Sequence, residues 1–222
     1  MPHITLTASD GFELGAYRAD PDGAPKGGVV VIQEIFGVNS HIRSICDRLA
    51  ADGYVAIAPA LFDRVQPGFE SGYSPEEVET ARGFLADPDW DGFLRDTEAA
   101  AAALAGAGKV GIVGFCLGGS IAFLAATRLK GFSAAVGFYG GKIAAHADEV
   151  PQCPVQLHYG SEDQGIPMSN VDTVKEKRPD VEIFVYEGAG HGFNCDERGS
   201  FHPEAAKLAW GRTQAFLAAH ID

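Results

Sequence analysis

Positive charge is scarce in this chain: 17 Lys plus Arg stand against 30 Asp plus Glu, for a formal net charge of −13. Such a field repels phosphate backbones and anionic lipid, so neither nucleic acid nor a membrane surface is expected as a partner. Cysteine is sparse as well. Cys46, Cys116, Cys153 and Cys195 form no C-x-x-C pair and no dense framework of the kind that staples short secreted domains. A reducing, cytoplasmic location is the expectation. The opening Met1-Pro2-His3-Ile4-Thr5 lacks a basic stretch followed by an apolar one, the pattern of a secretory signal. Long apolar runs are missing too. The nearest approach to a membrane span, residues 110–126, is uncharged but broken by Gly111, Gly114, Gly118, Gly119 and Ser120. No internal repeat, low-complexity tract or interdomain linker is visible.

What remains is 222 residues, 46% hydrophobic and 21% charged, a length and balance that predict one compact domain spanning residues 1–222. Short β-branched runs at 27–32, 54–58, 110–115, 134–139, 155–159 and 181–186 have the pattern of central strands buried on both faces of a parallel sheet. Between them the apolar spacing turns helical, as in Ile42, Ile45, Cys46, Leu49 and Ala50 after a Ser40 able to cap. Residues 76–85 and 93–104 read as helix interrupted by Asp87-Pro88-Asp89, and 203–219 as a last helix opened by Pro203. Residues 4–7 and 12–18 around Asp10-Gly11 read as an antiparallel hairpin at the sheet edge. The fold class is therefore α/β, a mostly parallel central sheet flanked by helices on both faces. Residues 61–74 form the longest irregular piece, and the sequence leaves open whether this piece or the acidic segment after it covers a site.

Gly114-Phe115-Cys116-Leu117-Gly118-Gly119 falls where a buried strand ends and a helix begins, the context of a G-x-S-x-G nucleophile turn with Cys in place of Ser. A buried cysteine in a glycine-rich contact is the bland alternative; the two glycines at the strand–helix junction favour the nucleophile. A nucleophile of this kind takes its acid and then its histidine from later strand ends. Asp163, in Gly160-Ser161-Glu162-Asp163-Gln164-Gly165-Ile166-Pro167, and His191, in Gly188-Ala189-Gly190-His191-Gly192-Phe193, occupy those positions. Glu162 competes with Asp163, and the longer pattern through Pro167 favours Asp163. His158 lies inside a core strand and reads as structural, as Cys46 and Cys153 read as packing residues. After the first buried strand, Gln33-Glu34-Ile35-Phe36-Gly37 supplies a second backbone donor, so the N–H groups of Leu117 and Ile35 are the candidate oxyanion hole. Glu34 brings a carboxylate near the thiol, where like charge disfavours ionisation; a solvated loop glutamate is the alternative.

These four segments together resemble the dienelactone hydrolase family over essentially the whole chain. The resemblance implies an α/β-hydrolase fold and hydrolysis of a small lactone or enol ester without a metal or organic cofactor. It implies a Cys116–Asp163–His191 triad, a thioester intermediate, and a Glu34 that contacts the resting thiol. Relatives of this kind hold a substrate carboxylate with two arginines, for which Arg82, Arg198 and Arg64 are the candidates here, with Phe36 and Phe193 as neighbouring contacts. None of the three arginines sits in a matching local motif. A broad carboxylesterase or thioesterase, and a small-molecule binder without catalysis, are the rival readings. The expected partner is a small-molecule lactone or ester, and the expected assembly a monomer or small homo-oligomer.

Overall fold

The computed structural model describes residues 3–222. Its centre is an eight-stranded sheet: β1 (His3–Thr7), β2 (Glu13–Ala19), β3 (Gly27–Ile32), β4 (Tyr54–Pro59), β5 (Val110–Phe115), β6 (Phe132–Phe138), β7 (Val155–Gly160) and β8 (Glu182–Tyr186). The spatial order is β1-β2-β4-β3-β5-β6-β7-β8. The hairpin read around Asp10-Gly11 forms: β1 pairs antiparallel with β2, β2 antiparallel with β4, and every later pair is parallel. Strands β3, β4, β5 and β7 are buried at every residue, as continuous β-branched and apolar runs require when helices cover both faces.

Six helices accompany the sheet: α1 (Ser40–Ala51), α2 (Pro75–Gly83), α3 (Trp90–Ala102), α4 (Leu117–Arg128), α5 (Met168–Lys177) and α6 (Pro203–Ile221). On one face α1 packs against β2 and β4 and α6 against β5, β6 and β7; Arg48 of α1 stacks 4.1 Å from the Trp210 ring of α6. On the other, α3 and α4 pack against each other and against β3. Helix α4 is apolar nearly all round and buried from Leu117 to Ala126, the composition of a helix enclosed by protein on every side.

Two expectations need correction. The 181–186 run is an edge strand: β8 pairs only with β7 and is half-buried along most of its length, with Arg212 of α6 lying 4.0 Å over the Phe184 ring. Its apolar residues are sheltered by that stacking instead of by a second neighbouring strand. The cap of α1 is Asn39, whose Oδ1 accepts from Ile42 N at 3.3 Å, while Ser40 lies inside the first turn and donates to Glu197. Segment 61–74 is packed down. Leu61 and Phe62 are buried, Gly37 bridges Glu70, and Ser71 N donates to Phe36 O. Among the described residues no helix is long and apolar enough to cross a membrane.

Candidate active site

The C-terminal ends of β3, β5, β6, β7 and β8 all open on one edge of the sheet, the edge where open parallel sheets place their ligands. Strand β5 delivers Cys116 into the turn before α4 with φ 55° and ψ −110°, a left-handed conformation that a non-glycine residue adopts only when its surroundings impose it. The glycines explain how the turn closes. A Cβ on Gly114 would collide with the backbone of Gly118, and one on Gly118 with the backbone of Ile32 and Gln33. Only glycine lets α4 start that close to the sheet. Tyr139, at the end of β6, is the other non-glycine residue with positive φ among those described, and its ring packs 5.1 Å from the His191 ring.

Cys116 Sγ lies 3.1 Å from His191 Nε2, and His191 Nδ1 lies 2.7 Å from Asp163 Oδ2. The other Asp163 oxygen accepts from Gly165 N at 2.8 Å and Ile166 N at 3.1 Å, which fixes the carboxylate. Burial opposes charge on His191, but the Asp163 carboxylate and the Cys116 sulfur outweigh it and raise the imidazole to about 10. Glu162, the competing carboxylate, is not part of this chain of contacts. Among the described residues neither Leu117 N nor Ile35 N donates to another protein group, whereas Gly118 N is already spent on Gln33 O at 3.1 Å.

A cavity of about 320 Å³ opens beside the sulfur, walled by Ile35, Leu85, Pro88, Trp90 and Ile166 and reached by Cys116, Leu117 and His191. Lys142 is the one lysine or arginine in this lining; its backbone N donates to Ser120 Oγ at 3.1 Å, and its ammonium enters no ion pair among the described residues. The sequence reading missed this wall. Asp87-Pro88-Asp89 registered only as a helix break, and Lys142 follows a strand-end Gly140-Gly141 pair whose position at the C-terminal edge was the available signal.

The remaining candidates fall elsewhere. Arg82 is exposed on α2, outside the cavity lining. Arg64 is held by Asp96 and Asp10 and stacks over Phe12, a structural engagement. Phe36 and Phe193 are core residues behind the wall, packed against Tyr73 and Tyr139 respectively. Glu34 is 1% exposed and does not bond the thiol. Its Oε1 accepts from Arg198 Nη1 at 2.9 Å, under the flanking Phe36 and Tyr73 rings, and its Oε2 has no partner.

This sheet, with a cysteine on a strained strand-to-helix turn and a histidine and aspartate on later strand ends, has the architecture of the α/β-hydrolases. The family model of the dienelactone hydrolase family matches residues 14–221, and the chain belongs to that family. It is 38% identical to a Synechocystis protein provisionally named a carboxymethylenebutenolidase, over 98% of this chain and 96% of that one. It is 34% identical to the carboxymethylenebutenolidase of Pseudomonas putida, over 97% and 95%. A crystal structure from Klebsiella pneumoniae, provisionally described as a dienelactone hydrolase, superposes with a TM-score of 0.86 at 34% identity, covering 99% of this chain and all of that one. The protein is accordingly a hydrolase acting on ester or lactone bonds.

Proposed function

We propose that this hydrolase opens small lactones of the dienelactone or butenolide type, or cleaves enol esters, through a Cys116–His191–Asp163 triad and a thioester intermediate. The observation that supports it most is the unbroken run of short contacts from Asp163 Oδ2 through both nitrogens of His191 to Cys116 Sγ, ending at a cavity. Sγ attacks the carbonyl carbon as His191 Nε2 holds the thiol's proton, and the carbonyl electron pair moves onto oxygen. The N–H groups of Leu117 and Ile35 receive that oxyanion; each such donor is worth roughly 2.7–4 kcal/mol in comparable sites. On collapse the carbon–oxygen bond breaks and His191 passes its proton to the departing oxygen, which in a lactone stays tethered to the acyl chain. Water then gives a proton to His191, its oxygen attacks the thioester, and the sulfur leaves and recovers the proton. Asp163 keeps the imidazole in the tautomer that both half-reactions use.

Glu34 belongs to the control of the thiol. Held by Arg198, it leaves the sulfur to His191; turned to the sulfur, it accepts the S–H hydrogen bond and keeps the thiol neutral. The substrate is a small molecule handled in the cytoplasm without a metal or organic cofactor taking part in these steps. A broad carboxylesterase is the second reading, favoured by a lining that is mostly apolar, with Ser120 and Lys142 its polar side chains beside Cys116 and His191.

Steady-state hydrolysis by Cys116→Ala and His191→Ala, alongside circular dichroism, tests the triad. Cys116→Ala is expected to fold and lose all turnover, and His191→Ala to lose about 10²–10⁴-fold. A folded Cys116→Ala protein that still turns over contradicts the covalent mechanism.

A further inference from the structure

Around Glu34 the structure gathers three ligating groups from distant parts of the chain. Glu34 follows β3, His41 lies in the first turn of α1, and Cys195 lies in the loop before α6. All three are buried, and one ligand atom from each falls within 4.8 Å of the others. Two of them have unmet bonding capacity: Glu34 Oε2 and His41 Nε2 are fully enclosed with no partner among the described residues. Glu34 is 1% exposed and His41 2%. Glu34 Oε2 is an acceptor and a neutral imidazole carries one lone pair, so in the tautomer with its proton on Nδ1 both atoms offer lone pairs that a cation can take.

The chemistry around the trio favours a cation. His41 Nδ1 stands 3.8 Å from Asp196 Oδ1, whose negative charge favours the ring proton on that side. Cys195 Sγ is 3.2 Å from Tyr73 Oη, which also accepts from Asn39 Nδ2 at 3.0 Å, so a phenol stands beside the sulfur as an outer partner. One sulfur, one nitrogen and one carboxylate oxygen form the donor set of a borderline divalent ion of the zinc type. Bonds of about 2.0–2.3 Å place tetrahedral ligand pairs roughly 3.5 Å apart, so closing from 4.8 Å takes side-chain movements of about 1 Å.

We propose that Glu34, His41 and Cys195 form a site for a zinc-type divalent cation, distinct from the Cys116–His191 pair and sharing with the active site only Glu34. On binding, the Cys195 S–H bond breaks, a sulfur–metal bond forms, and the proton passes to a buffer base; nothing is oxidised or reduced. Glu34 Oε2 and His41 Nε2 supply the second and third ligands, and Glu34 Oε1 remains with Arg198. The ion thereby fixes the one carboxylate assigned above to control of the thiol.

The experiment uses Cys116→Ala protein, which removes the other thiol–imidazole pair, treated with chelator and titrated anaerobically with Co²⁺. A thiolate-to-cobalt charge-transfer band that saturates at one equivalent is expected. It should vanish when Cys195→Ser is added and weaken strongly with His41→Gln or Glu34→Gln, each checked for folding by circular dichroism. X-ray absorption on the Zn²⁺-loaded Cys116→Ala protein, which needs no further variant, should show one sulfur and two or three nitrogen or oxygen neighbours. No band, a band that survives Cys195→Ser, or a zinc shell without sulfur overturns the proposal, and a water between Glu34 and His41 then accounts for the unmet acceptors.

Discussion

Among the described residues two arginine–carboxylate pairs have an enclosed carboxylate, and they are built to different specifications. Asp96, whose side chain is wholly enclosed, takes Arg64 with both oxygens, at 2.8 Å from Nε and 2.7 Å from Nη2, and the same guanidinium also reaches Asp10. Glu34, equally enclosed, takes Arg198 at a single point and leaves its second oxygen bare. The first pair fastens segment 61–64 to α3 and the hairpin, with the Asp96 carboxylate fully engaged. The second keeps acceptor capacity in reserve one residue from the candidate oxyanion donor Ile35. A buried charge that is fully paired serves the fold; one left half-paired keeps capacity for exchanging partners, and that is the use proposed for Glu34.

The contrast breaks first under substitution of the arginines. Arg64→Ala strands Asp96 in the core and is expected to destabilise the protein by about 3–5 kcal/mol, with turnover per folded molecule unchanged. Arg198→Ala removes one charged hydrogen bond, about 1.5–3 kcal/mol, and should lower turnover by on the order of tenfold or more. Urea titrations paired with kinetics on the folded fraction read both effects. Equal stability losses with unaltered turnover in both variants would erase the distinction.

A smaller effect sharpens the role of Glu34. Replacing Glu34 with Gln removes the charge proposed to control the sulfur at nearly constant shape, and a Coulomb term of about 1 kcal/mol corresponds to roughly fivefold in rate. Alkylation of Cys116 by iodoacetamide at neutral pH should be faster in Glu34→Gln by that order, with turnover lowered; Cys116→Ala supplies the background from the other three cysteines. Identical alkylation rates leave Glu34 no part in controlling the thiol.

Much of the fold and site was legible in the sequence, and the limits are physical. Unbroken apolar runs reveal buried strands because a strand covered on both faces has no polar side to show. Such a run says nothing of an edge sheltered by a stacked arginine, which is why 181–186 read as central and β8 is not. That Cys116, Asp163 and His191 come together could be anticipated because glycines and strand ends mark the turns that carry them. The Arg198–Glu34 contact joins residues 164 apart in sequence, through a loop with no periodicity, so no local pattern announces it. The cavity wall of Leu85, Pro88 and Trp90 was hidden for the same reason: spacing gives a helix but not its docking place.

The smallest expected effect concerns Lys142, the exposed cation of the cavity lining. For a substrate bearing a carboxylate, Lys142→Ala should raise KM about two- to fivefold, the range of a solvent-screened ion pair, and the difference should shrink at high salt. A neutral ester should show no change. Equal shifts for both substrates assign Lys142 to packing.

The central claim is that Cys116 carries the acyl group, and trapping that group tests it most directly. His191→Ala protein, slowed in the water-dependent step, is mixed with an activated ester, quenched in acid and digested for mass spectrometry. The acyl mass is expected on the peptide containing Cys116 and should be absent from Cys116→Ala. An unmodified Cys116 peptide, with the acyl group on another residue or released without ever binding the protein, would contradict it.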